Sequence, residues 1–303
     1  MLCGRQHSWI KYGSSIIYHL SAMPKNQPRN SLKPLSVGNV VTAAIQLFRS
    51  HLKQYLGLTL RAYLWALVPI YGWAKFFMIS GVISRLAFGD LTGQPETETQ
   101  ARKQLEDKKW GFLGLESLLV VISIGVFIAW YIALIILVLI GVAIVSAVGE
   151  NVVVIVALVL IAIVLVFLSL FGLTWFFSRF MVSQVAFAIE PLSNASASLG
   201  RSWELTKGYV LRIQGVLLIA FLMTLPLQII AQVLALLAQV ALSRFFTEGS
   251  SEFLIVSFFA GYAIGLGSGL FVFPFWQAIR TVIYYDVRNR REGLSLEIRD
   301  RSR

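Results

Sequence analysis

Residues 117–149 read SLLVVISIGVFIAWYIALIILVLIGVAIVSAVG, a run without one charged side chain. A helix crossing a hydrocarbon core of about 30 Å needs about 20 mostly apolar residues, so this run is a membrane span with length to spare. Three more stretches meet the same standard: 151–178, 213–243 and 253–279 are uncharged throughout. Their surplus length is taken up by tilt or by helix running past the bilayer. Over all 303 residues, 57% are hydrophobic and 14% charged, where a soluble domain carries about 25% charged residues. A water-soluble enzyme and a disordered chain are both excluded. The net charge of +11 is read as a topology signal rather than as nucleic-acid binding. One cysteine, Cys3, provides neither a disulfide framework nor a Cys-based zinc site. His7, His19 and His51 are scattered near one end. No metal site, cofactor or catalytic group is expected.

A fifth apolar region, 56–88, is interrupted by Arg61, Lys75 and Arg85 and holds Pro69 and Gly72 near its middle. It reads either as one long kinked helix or as a hairpin turning near Pro69-Ile70-Tyr71-Gly72. Charge placement favours the hairpin. Basic residues gather in 1–55, in 89–110, in 190–208 and after Tyr285, whereas 149–151 and 246–252 contain none. The positive-inside rule places all four basic segments in the cytoplasm, which requires 56–88 to enter and return. Each arm has roughly 16 residues, short for a full span, so the pair is partly inserted or re-entrant. The expected fold is an all-α integral membrane bundle of about six passages, four long helices plus a short N-terminal hairpin, with cytoplasmic amphipathic helices and both termini cytoplasmic. The expected spans are 111–148, 151–189, 209–245 and 253–285, with a cytoplasmic link at 89–110 and a cytoplasmic tail at 286–303.

Residues 1–35 read as a disordered tail. The apolar core 16–20 is too short for a signal peptide, and Met23 is a candidate initiator, which would leave 1–22 untranslated. From Ser36 the pattern turns helical. Val41, Ala44, Ile45, Phe48, Leu52 and Tyr55 share one face, and Arg49 and Lys53 lie opposite, as in an interfacial helix spanning 36–55. A helix packed on the bundle fits the same pattern. A second amphipathic element, 194–208, shows a thinner stripe of Leu199, Trp203 and Val210. Aligning Asn39 with Asn194 pairs Phe48 with Trp203, and each element leads into a proline-bearing apolar segment (Pro69; Pro226). That correspondence suggests a weak internal repeat.

Arg201-Ser202-Trp203-Glu204-Leu205-Thr206-Lys207-Gly208 resembles the Trp-Thr-Lys signature of a group of poorly characterised bacterial multi-pass membrane proteins. Tyr284-Tyr285-Asp286-Val287-Arg288 with Arg290-Arg291-Glu292-Gly293 resembles the carboxy-terminal motif of that group. The group is similar to the membrane domain of some glycerophosphodiester phosphodiesterases. The likeness covers 36–299 and departs at Ser295, where an acidic residue is more usual. It implies a six-helix bundle resident in the bacterial cytoplasmic membrane, and no catalytic activity.

Residues 261–269, GYAIGLGSG, invite a phosphate-loop or serine-elbow reading but fit neither, since no Gly-Lys-Ser/Thr follows and leucines flank Ser268. Gly261, Gly265 and Gly269 instead line one helix face, which suits close helix packing. Gln228, Gln232 and Gln239 form a polar stripe on the neighbouring span, as interhelical hydrogen-bonding groups or as the wall of a polar cavity. Asp286, with Arg288, reads as an interfacial ion-pair cluster. The four apolar stretches contain no acid, and Glu116 stands at the edge of one, which weighs against proton- or sodium-coupled transport. Arg85, Arg179 and Arg280 end apolar runs at the cytoplasmic face. With Arg49, Lys53, Arg201 and Lys207 they form a ring of cations at headgroup level, suited to anionic lipid. The expected function is a non-enzymatic scaffold or accessory protein contacting anionic headgroups at the inner leaflet, with other membrane proteins as further partners and no nucleic acid. The alternative is a transporter or channel for a small or amphipathic solute. It requires a cavity beside the three glutamines.

Overall fold

The computed structural model describes residues 36–149 and 151–293. The expected tail at 1–35, with its two candidate start sites, and the last part of the carboxy-terminal tail lie outside these residues. Every regular element among the described residues is an α-helix: α1 (Val37–Ser50), α2 (Leu52–Ala66), α3 (Tyr71–Thr92), α4 (Glu98–Glu106), α5 (Lys109–Val148), α6 (Val152–Ser178), α7 (Ser183–Ile189), α8 (Ala195–Thr206), α9 (Val210–Leu242) and α10 (Ser251–Glu292).

Four helical stretches are long and apolar enough to cross a membrane, Lys109–Ala147, Val152–Ile189, Val210–Leu242 and Ser251–Glu292. Large apolar side chains cover their surface on every side; Val121 is 65% exposed and Phe167 71%. A helix that is hydrophobic all round without a protein core about it suits a membrane span.

A polar platform anchors these helices. Its core joins α1, α2, α3, α7 and α8 to the platform ends of α5, α9 and α10, around Tyr55, Met78, Ile83, Phe112, Phe187, Ile279 and Tyr284. Both α9 and α10 change character at a proline. The buried positions of α9 (Val210, Ile213, Val216, Ala220, Thr224) stop before Pro226. Those of α10 run mainly from Pro274 to Asn289.

Region 56–88 is a hairpin. Pairs across α2 and α3 run in opposite order: Tyr63 stacks on Phe76 at 6.1 Å, Trp65 meets Tyr71 at 5.7 Å, and Trp73 Nε1 donates to the Ala66 carbonyl at 3.2 Å. Gly72 is required at the turn, because a Cβ there would collide with the Trp65 carbonyl. The second arm, however, is the central helix of the platform: α3 is buried over most of its length beyond Trp73 and packs on α2, α4, α5, α7 and α10.

Several element ends differ from the sequence reading. The helix expected over 36–55 breaks at His51. The run 151–189 is helical only to Ser178, turns, and resumes as α7. Residues 286–292, expected as tail, continue α10 into the platform, where Asp286 and Val287 are buried. The repeat suggested by Pro69 and Pro226 has no common role for its prolines, since Pro69 sits in a turn and Pro226 inside a continuous helix.

Candidate functional site

The cations expected at headgroup level divide into three groups. Arg85 and Arg201 are committed to carboxylates. Arg85 forms a bidentate pair with Glu96, at 2.7 and 2.8 Å, and donates to the Ala188 carbonyl at 3.1 Å. Arg201 donates to Glu190 at 2.8 and 3.0 Å and pairs with Glu292. Burial opposes the charge on Arg201, but the hydrogen bonds to Glu190 and Glu292 outweigh it and hold the guanidinium above its ordinary pKa. Tyr284 Oη donates to Glu190 at 2.6 Å, and Arg288 donates to Tyr284 and Glu292. One network thus fastens the loop after α7 to α8 and α10. Expected as lipid contacts, Arg85 and Arg201 are paired within the chain to carboxylates, Glu96 and Glu190 in loops and Glu292 on α10, by charge-assisted hydrogen bonds of the kind a headgroup would also offer.

Arg179 and Arg280 form the second group, held without a carboxylate in hydrogen-bonding contact among the described residues. The Arg179 guanidinium lies 4.4 Å from the Trp203 ring centroid and 5.1 Å from that of Trp175, and donates to the Trp203 carbonyl at 3.2 Å. With a relative exposure of 8% it is sealed between α6 and α8. Arg280 Nη1 donates to Gln184 Oε1 at 3.2 Å, and Gln184 in turn donates to Ser80 at 2.6 Å. A buried polar line therefore runs from α10 through α7 to α3.

Arg49, Lys53 and Lys207 make up the third group. They are exposed and have no carboxylate partner among the described residues.

Asp286 is an ion-pair centre as expected, with different partners: Arg212 at 2.9 Å and Arg290 at 3.1 Å. His51 Nε2 pairs with Asp90 at 3.0 Å. Burial raises the Asp90 carboxyl above its ordinary pKa, and the nearby His51 opposes that rise. His51, Glu190 and Asp286 thus belong to three different ion-pair clusters. Among the described residues no three His, Cys, Asp or Glu side chains stand together as a metal site.

The second location is a groove of about 1160 Å³ between α9 and α10. Gln228, Gln232 and Gln239 line one wall, with Gly261, Gly265, Gly269, Ser257 and Ser268 on the other. The close packing expected at the glycines is not made at two of them. A Cβ at Gly261 or Gly265 would meet nothing within 4 Å, whereas one at Gly269 would fall 2.5 Å from the Tyr63 hydroxyl. The tightly packed glycines lie elsewhere. At Gly81 and Gly111 an added Cβ would stand 2.6 and 2.5 Å from the rings of Phe112 and Phe187. Neither glycine sits in a visible repeat, so nothing in the chain marks them.

No family model, curated protein or solved structure matches the chain.

Proposed function

We propose that this chain is a non-enzymatic membrane protein, a scaffold or accessory protein that contacts anionic lipids at the inner leaflet of a bacterial plasma membrane. In this reading the four long helices cross the bilayer, and the polar platform and both chain ends lie on the cytoplasmic side. The basic segments then obey the positive-inside rule, and the likeness of 201–208 and 284–293 to a multi-pass membrane family points the same way. The observation that carries the reading is the exposure of Arg49, Lys53 and Lys207 without carboxylate partners among the described residues. Each such cation near an anionic surface contributes about 1 kcal/mol. The exposed apolar tip of the α2–α3 hairpin, with Leu67, Ile70 and Trp73, adds an apolar surface at the other end of α2 from Lys53. The test is the triple variant Arg49→Glu, Lys53→Glu, Lys207→Glu. Retention of anionic lipid in native mass spectrometry should fall by about a hundred-fold, following from about 3 kcal/mol in total. Unchanged anionic-lipid adducts would reject the reading.

The groove between α9 and α10 supports a second reading, passage or capture of a small or amphipathic solute. The three glutamines lining it have no hydrogen-bond partner within the chain among the described residues, so their amides remain available to a guest. Solute flux in proteoliposomes that is insensitive to Gln232→Leu would reject it.

A further inference from the structure

All residues lining the large groove come from α9 or α10, none of them is charged, and the groove opens beyond Pro226 and Pro274. In hydrocarbon an amide without a partner costs several kcal/mol. Here Gln228, Gln232 and Gln239 bring three, spread over about 16 Å of helix at 1.5 Å per residue. The Ser257 hydroxyl is also shut away without a hydrogen-bond partner. A lipid concentrates its polar groups at one end, so it fits this distribution poorly. A free ion finds no counter-charge. The amide is both donor and acceptor, and a row of amides is therefore complementary to an identical row. Across the groove, Gly261 and Gly265 offer bare backbone with nothing within 4 Å of an added Cβ, the surface on which a second helix approaches closely.

We propose that the α9–α10 groove is the interface with a second copy of this chain. Two antiparallel pairs face one another across a two-fold axis and close a four-helix bundle, its interior lined by the glutamine rows of both copies. The groove is incomplete as a polar compartment without the second copy. The dimer does not depend on the anionic-lipid reading. It supplies the enclosed polar path that the solute reading needs, and it stands whether or not anything passes.

The test uses the full chain in native membranes in a Cys3→Ser background. Ser268→Cys lies in the groove, and Phe259→Cys lies outside it on the same helix. Mild oxidation should cross-link Ser268→Cys into dimers about ten-fold more than Phe259→Cys, as expected of a specific helix interface. Adding Gly265→Leu should reduce that cross-linking about ten-fold by filling the contact surface. The monomer in detergent should keep its thermal midpoint, because the new side chain meets open space within one chain. Absence of Ser268→Cys dimers, equal cross-linking at Phe259→Cys, or dimers unaffected by Gly265→Leu would each overturn the proposal. Monomers that carry a neutral lipid adduct, lost on Gly265→Leu, would also overturn it and give the groove to a lipid. The anionic-lipid assay uses the platform cations and is scored separately.

Discussion

Lys75 lies almost wholly buried in α3 and finds its counter-charge in Glu106, which also accepts from Lys109 at 3.1 Å. The hydrogen bond from Lys75 holds the Glu106 carboxyl below its ordinary value of 4.5; burial works against it, and Lys109 adds to it. A carboxyl whose pKa is depressed in the folded state stabilises above its unfolded pKa, and that contribution disappears as pH falls through the folded value. The thermal midpoint in detergent is therefore expected to decline as pH drops below about 4.5. Glu106→Gln should flatten that decline and cost about 1–3 kcal/mol at neutral pH, by leaving the Lys75 ammonium without its charged acceptor. An acid limb of the same depth in the variant would contradict this assignment. Lys75 reads in the sequence only as an interruption in an apolar run. Its partner lies 31 positions away, and no local pattern marks the pairing.

At the scale of the element, periodicity carried the long helices and the buried face of α1, with Val41 and Ala44 inside and Arg49 outside, and missed part of the face of α8. Around α8 the stripe of Leu199, Trp203 and Val210, the last of which begins α9, suggested an apolar face. The buried face also holds Ser198, Ser202 and Thr206. Ser198 donates to the Ser183 carbonyl at 2.6 Å and Ser202 to the Arg179 carbonyl at 2.7 Å. Small hydroxyls let α8 approach closely and satisfy carbonyls at the end of α6 and the start of α7, so hydropathy alone misses part of the buried face. Trp203 instead faces outward to cover Arg179. The α2–α3 turn holds a second departure: Ile70 has φ of +60°, a conformation that bulky β-branched residues avoid. Such backbone strain costs about 1–3 kcal/mol, and the side chain is exposed. Ile70→Gly is expected to raise stability by about 1 kcal/mol after the entropy of the added glycine is deducted. Calorimetry or chemical denaturation in detergent reads the shift, and a loss of stability would mean that the Ile70 side chain holds the turn.

The described residues form a platform bearing long apolar helices, and the proposed orientation yields a direct test. Asn151→Cys and Glu248→Cys, each in a Cys3→Ser background, should react with a membrane-impermeant maleimide on intact cells. Lys53→Cys should react only after permeabilisation. Labelling of all three from one side would dismantle the proposed topology. The long uncharged runs by themselves marked the four helices long and apolar enough to cross a membrane, because each exceeds the roughly 20 predominantly apolar residues that a span needs. The glutamine row and the four-residue glycine spacing were equally plain, since each is a local periodicity. Tertiary structure alone decided which cations are exposed. Arg85 and Arg49 look alike along the chain, and only the fold brings Glu96 onto one of them. It also decided that α3, one arm of a hairpin interrupted by Lys75 and Arg85, is the centre of the core, and that Gly261 and Gly265 face open space while Gly81 and Gly111 lie under aromatic rings. The physical reason is common to all of these: a residue's character sets what it must avoid, but its partner is chosen by where the other helices arrive.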